Sequence, residues 1–277
     1  MRTNRKLRNR IDRSIDKMGY RTLTFQCDDE IVTIALSVPE KRNAISAQMI
    51  ADLLAALDQA EVSPARVVIL TGAGKAFCAG MDLDELQHMA RQTQQKNLED
   101  ARRMTKLLYR LYSFPKPVVA AVNGAAIAGG CGLAAVADLI LAVPEARFGY
   151  TEVRIGFTPA LVSVFLRRRI SDTHVRDLLL TGRIIDAAEA HRIGLVTEVV
   201  PMEGLMERAR EVAALLLAAS PTAVAQTKKL LISFDRAAIR AELEVAIETN
   251  ADIRSTPDFR EGVSAFLEKR PPKWSGH

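Results

Sequence analysis

Two short glycine-bearing segments follow apolar, strand-like runs, and they are where this chain could first do chemistry. TGAGKAFCAG (71–80) follows VVIL (67–70), and AIAGGCGLAA (126–135) lies just beyond VVAAV (118–122). The first resembles a phosphate loop, but such a loop needs a hydroxyl after its lysine to hold magnesium, and Lys75 is followed by Ala76. The second contains Gly130-x-Gly132-x-x-Ala135, which formally matches a dinucleotide fingerprint. That fingerprint must follow its strand directly and be served by a well-placed acid. Here NGAAIAG intervenes, and Asp138 and Glu145 are wrongly placed. One task suits both segments. Each brings backbone free of bulky side chains to the end of a strand, where glycine permits close approach. Two N–H groups converging there on one carbonyl oxygen would form an oxyanion hole. The residues CGLAAVAD suit a helix whose N-terminal dipole adds to that pull.

Other reactive side chains fit no scheme. His88, His174, His191 and His277 are scattered outside any Ser-His or metal pattern. Cys27, Cys78 and Cys131 are odd in number and widely spaced, which suits reduced thiols in a cytoplasm and excludes paired zinc ligands. Asp84 and Glu85 follow the first glycine segment and read as acids compensating a helix N-terminus, with a catalytic role for Glu85 as the alternative.

These segments need elements to hold them. IVTIALSV (31–38), VVIL (67–70), VVAAV (118–122), LILAV (139–143) and LVTEVV (195–200) read as strands. Ser46 is placed to cap a helix with Ile50, Leu53, Leu54 and Leu57 at helical spacing. Residues 98–112 form an amphipathic helix stopped by Pro115 and Pro117. After 200 the pattern is helical over 203–219, 221–232, 236–253 and 257–269. The chain is therefore α/β in its first two-thirds and all-α at its end. No apolar run reaches the length that spans a bilayer, and residues 1–17 lack the apolar centre of a secretory signal.

The net charge is +5, from 38 Lys and Arg against 33 Asp and Glu. Residues 1–17 hold seven basic and two acidic side chains, an excess of five, so everything from residue 18 onward balances at 31 against 31. The basicity belongs to a short extension, read as a poorly ordered solvated tail or as sequence upstream of a start at Met18. Contact with nucleic acid or an anionic surface is the sharper alternative.

PEKRNAIS (39–46), GKAFCAGMDL (74–83), KPVVAAVNGAAIAGGCGLAAVADLILA (116–142), EARFGYTEVRIGFTP (145–159) and FREGVSAFLEKRPP (259–272), in that order, resemble the enoyl-CoA hydratase/isomerase, or crotonase, superfamily. The resemblance covers about residues 20–272. It implies a spiral core of ββα turns over 18–202 and a helical region over 203–277 that mediates trimer formation, often with two trimers stacked as a hexamer. It implies an acyl-CoA thioester substrate of the kind met in fatty-acid β-oxidation. Coenzyme A would be part of that substrate, with no separate cofactor and no metal.

The resemblance also implies roles. The N–H of Met81, in Ala79-Gly80-Met81-Asp82, would be one oxyanion donor. That of Gly129, in Ala128-Gly129-Gly130, would be the other, with Gly130 letting the backbone approach. Lys41, Arg42 and Ala44 match the loop along the pantetheine and phosphates, and are otherwise an ordinary solvated loop. Asp82 and Leu83 match the wall of the CoA pocket, although Asp82 suits a helix cap equally. Phe266 and Lys269 match residues that contact the nucleotide of a neighbouring subunit, or else belong to a plain amphipathic helix. Family hydratases commonly carry two glutamates. One matches Glu152, in TEVRIG; the other position is occupied by Gly132.

A single carboxylate suits isomerisation, in which one base moves a proton from C2 to C4 of a 3-enoyl thioester. The resemblance of TEVRIGFTPALVS and LEDARRMTKLLYRLYSFPKP is instead to bacterial hydratases of branched enoyl-CoA esters, methylglutaconyl-CoA hydratase nearest among them. The expectation is thus an enoyl-CoA hydratase with Glu152 as acid and base. A Δ3-Δ2-enoyl-CoA isomerase is the alternative, and a weakly active acyl-CoA- or RNA-binding homologue the second.

Overall fold

The computed structural model describes residues 19–276. The basic segment 1–17 and His277 lie outside the described residues.

The described residues open with a hairpin, β1 (Leu23–Asp28) against β2 (Ile31–Leu36), in which alternate residues Val32, Ile34 and Leu36 are buried. Helix α1 (Ala47–Val62) follows, with the Ser46 hydroxyl accepting from the Met49 N–H as its cap. Three ββα turns come next. The first is β3 (Val67–Gly72), β4 (Ala76–Cys78), then α2 (Leu83–Met89) and α3 (Gln94–Tyr112). The second is β5 (Val118–Val122), β6 (Ala125–Ile127) and α4 (Gly129–Ala135). The third is β7 (Leu139–Ala142), β8 (Arg147–Gly149), the 3-10 turn Glu152–Ile155 and α5 (Ala160–Leu166). Then come α6 (Asp172–Thr181), β9 (Ile184–Asp186), α7 (Ala187–Arg192) and β10 (Glu198–Val199). Helices α8 (Leu205–Ala218), α9 (Pro221–Asp252) and α10 (Pro257–Glu268) complete the chain.

The strands form two sheets. The larger runs β1-β2-β3-β5-β7-β10 and is parallel from β2 onward; the smaller runs β4-β6-β8-β9, with β4, β6 and β8 parallel. Strand β5 is buried along its whole length, as a central parallel strand covered on both faces must be. Each turn of the spiral therefore contributes one strand to each sheet. Pairing of the short strands brings the loops after β4, β6 and β8 side by side.

Two sequence expectations differ from the structure. The helices predicted over 221–232 and 236–253 are one continuous helix, α9. SFD (233–235), between them, contains neither glycine nor proline, and the Ser233 hydroxyl donates to the Leu230 carbonyl three residues back without interrupting the helix. The strand predicted over 195–200 shrinks to Glu198–Val199, because the N–H groups of Leu195 and Val196 both turn back to the Ala190 carbonyl at the end of α7. Helices α8 and α9 share the main hydrophobic cluster, through Leu205, Ala209, Val212, Ile239, Leu243 and Ile247, whereas α10 packs Phe259 and Val263 against Leu86 and Met89 of α2. Among the described residues no helix is long and apolar enough to cross a membrane.

Candidate active site

A cavity of about 500 Å³ lies beyond the C-terminal ends of β4, β6 and β8. Met81 stands three residues past β4, Gly129 two past β6 and Glu152 three past β8, and all three line that cavity. The place follows from topology: ligands of parallel sheets collect at the carboxyl ends of strands.

The backbone around Met81 is held from outside. Ile45 bridges Met81 in a parallel pair: the Ile45 N–H donates to Gly80 O at 2.7 Å, and the Asp82 N–H donates to Ile45 O at 2.9 Å. Those bonds flank Met81 and leave its own N–H facing away from Ile45. The Ala79 N–H donates to Arg42 O at 3.0 Å. Asn43 ties this clamp to the turn after β3. It is fully buried, its Oδ1 accepts from the Val38 N–H, and its Nδ2 donates to the carbonyls of Ala73 and Ala76.

The second loop packs directly on the first. A Cβ on Gly80, whose φ is +91°, would meet Ile127 O at 2.9 Å, and one on Gly130 would meet Cys78 O at 2.2 Å. Only glycine permits such backbone-to-backbone contact. Gly129 begins α4, so its N–H is among the donors without an intrahelical acceptor. Ala128 precedes it at φ 51°, ψ −122°, on the positive-φ side that glycine normally occupies.

Glu152 opens the 3-10 turn and is 7% exposed. Its Oε2 is buried with no hydrogen-bond partner, and burial pushes its carboxyl up from 4.5 to about 7. Cys131 and Tyr150 lie close enough to feel its charge, but burial raises the Cys131 thiol to about 12 and the Tyr150 phenol well above its ordinary value. Neither ionises near neutrality. The C-terminal helix closes over this turn. Cβ atoms on Gly156 and Gly262 would lie 2.4 Å from Asp258 O and 2.3 Å from Ile155 C, so the two glycines let α10 press onto the turn's backbone.

The remaining expected residues are distributed unevenly. Ala79, Leu83 and Phe266 line the cavity. Phe266, at the rim, is exposed as well as lining the cavity of its own chain. Gly130 packs behind the cavity on Cys78. Lys41 is exposed and pairs with Asp82 at 2.9 Å and Asp84 at 3.0 Å; its hydrogen bond with Asp82 raises its pKa. Asp82 caps α2 by accepting from the Asp84 N–H. Burial pushes the Asp82 carboxyl up, but the bonds from Lys41 and Asp84 outweigh it and leave it below its ordinary value. Arg42 is exposed and Ala44 half-buried beside this pair, and Lys269 is the exposed residue ending α10. Glu85 lines the cavity, but its Oε1 accepts from the Ala47 N–H at the start of α1. His88 and His191 make local contacts with the backbone carbonyls of Asp84 and Val196.

The space beside Gly132 is taken. A Cβ there would lie 2.5 Å from Val162 Cγ1 and 3.8 Å from Leu108 Cδ2. Apolar side chains thus stand where a second glutamate would begin. Sequence reasoning missed Asn43 and a polar group on the cavity wall: Asp100, Asn250 and Arg254. The signal for the last two was present, since Leu243, Ile247, Asn250 and Arg254 fall on one helical stripe, which places polar residues on a buried face.

The enoyl-CoA hydratase/isomerase family model matches residues 26–277. The chain is 43% identical over 245 residues to a Thermus thermophilus protein provisionally named an enoyl-CoA hydratase, covering 88% of this chain and 97% of that one. It is 33% identical over 248 residues to the 2,3-dehydroadipyl-CoA hydratase of Escherichia coli, covering 89% and 95%. A crystal structure of an enoyl-CoA hydratase/isomerase from Xanthobacter autotrophicus Py2 superposes with a TM-score of 0.83 at 29% identity, covering 91% of this chain and 97% of that one. The fold is thus the crotonase fold, with its helical C-terminal region. This chain belongs to the enoyl-CoA hydratase/isomerase family of enzymes.

Proposed function

We propose that this enzyme adds water across the C2=C3 bond of a 2-enoyl-CoA thioester. The observation that carries the reading is Glu152: a buried carboxyl with an orphaned oxygen, poised near neutral pH, in the cavity that Met81 and Gly129 also line. Ionised Glu152 takes a proton from water as its oxygen bonds to C3. The π electrons move to the thioester oxygen, where the N–H groups of Met81 and Gly129 stabilise the enolate. Glu152 then returns the proton to C2. Because the ionised form begins the cycle, kcat/KM for hydration rises with pH through about 7.

The test is loss of enoyl-thioester absorbance on mixing with crotonyl-CoA. Turnover that Glu152→Gln reduces by several orders of magnitude supports the assignment; turnover surviving that substitution removes Glu152 from it. Conversion of 3-enoyl but not 2-enoyl thioesters would establish the isomerase instead, a reading favoured by the apolar filling around Gly132. Lys41 and Arg42 suit the phosphates of the CoA moiety, provided Lys41 exchanges its aspartate partners for phosphate. We also propose self-association, as a trimer or a dimer of trimers, through the apolar surface that Leu230, Leu231 and Phe234 expose on α9. Light scattering that returns the mass of a monomer would refute it.

A further inference from the structure

The cavity wall contains a cation that the hydration chemistry leaves without a task. Arg254, in the 3-10 turn Ile253–Ser255 that follows α9, is 3% exposed. Its Nη2 donates to Asn250 Oδ1 at 2.6 Å and its Nη1 to Asn97 Oδ1 at 3.4 Å. Its Nε is buried with no acceptor. The guanidinium stands 5.7 Å from the centre of the Phe157 ring. The carboxylate beside it, Asp100, is 3.7 Å away, beyond hydrogen-bond reach, and pairs more closely with Arg103. Two arginines thus share one aspartate and leave one positive charge over. Desolvation lowers the Arg254 pKa to about 10, as expected of a cation short of partners.

A guanidinium has five N–H groups, and two of them are engaged here. Burying the rest is costly unless an acceptor arrives. The rest of the wall decides what kind of acceptor fits. Leu86, Met89, Met104, Leu108 and Ile155 offer an apolar lining suited to a hydrocarbon chain. A chain ending in a methyl group would bury Arg254 further and satisfy nothing. A chain ending in a carboxylate would meet the planar fork with charge-assisted bonds.

We propose that the acyl group of the substrate carries a terminal carboxylate, received by Arg254. This rests on the acyl-CoA reading of the cavity and names its substrate class.

The experiment compares, for the wild-type enzyme, 2-enoyl-CoA thioesters of four, six and eight carbons with chain-matched thioesters ending in a carboxylate. At the chain length that reaches Arg254, kcat/KM should favour the carboxylate by on the order of 10²-fold, mainly through KM. Arg254→Leu should collapse that ratio. Arg254→Lys, which keeps the charge but loses the fork, should lower it several-fold and serves if the leucine variant does not fold. Asp100→Asn removes the competing anion and should raise it, which a purely structural Arg254 would not explain. A wild-type ratio of one or less at every length overturns the proposal, as does a ratio unmoved by the Arg254 substitutions. If neither series is turned over, the hydratase reading fails, and calorimetry with hexanoyl-CoA and adipyl-CoA decides this one. A preference for adipyl-CoA that Arg254→Leu or Arg254→Lys reduces upholds it, and equal binding overturns it.

Discussion

Glu152→Gln should make this protein more stable at alkaline pH while stopping its chemistry. The folded carboxyl titrates at about 7, against 4.5 as its ordinary value. At 1.36 kcal/mol per pH unit, that difference amounts to about 3 kcal/mol. Below pH 4.5 the carboxyl is protonated in both folded and unfolded chains and contributes nothing. Between 4.5 and about 7 the unfolded chain releases its proton while the folded one keeps it, so stability falls as pH rises. Above about 7 the folded state bears the full cost of a buried charge, offset only in part by the hydrogen bond from the Glu152 backbone N–H. Glutamine has nearly the same shape and no charge to bury. Urea unfolding of both proteins at pH 5 and pH 8 measures the difference. The variant's advantage should grow by about 2–3 kcal/mol between the two, visible as a higher midpoint at unchanged slope. A stability difference that is the same at both pH values would refute the reasoning, because the carboxyl would then not titrate in that window.

The loop packing makes further predictions. Gly130→Ala places a methyl where Cys78 O stands 2.2 Å away, so the two loops must separate; kcat/KM should fall on the order of 10²–10³-fold while circular dichroism stays native-like. Asn43→Ala strands the Val38 N–H and the carbonyls of Ala73 and Ala76, and should cost roughly 2–4 kcal/mol in denaturant unfolding. Ala128→Gly relieves a positive φ at the modest entropic cost of glycine, and should stabilise the fold by about 1 kcal/mol, read as a higher Tm.

Much was legible because it is local or periodic. The strands β2, β3, β5 and β7 are apolar runs, and the Ser46 cap and the amphipathic α3 follow from helical spacing. The strands β4, β6, β8 and β9 were not legible, since three residues carry no period. Yet pairing among β4, β6 and β8 is what gathers Met81, Gly129 and Glu152. The motifs named the three residues, and a long-range strand order put them in one cavity.

Gly130 could be read as a close approach, but that the approach is to Cys78 O depends on β4 lying beside β6. Gly132 announced a missing carboxylate in the sequence; Val162 filling its place emerges only when α5 packs over α4. The sequence by itself singled out the two glycine-bearing loops and Glu152, because residue types and short spacings decide those. Tertiary structure alone decided that Glu152 is dry enough to titrate near 7 and that Arg254 faces the same cavity. Both depend on burial by elements more than 90 residues apart, and burial is a property of the packed chain.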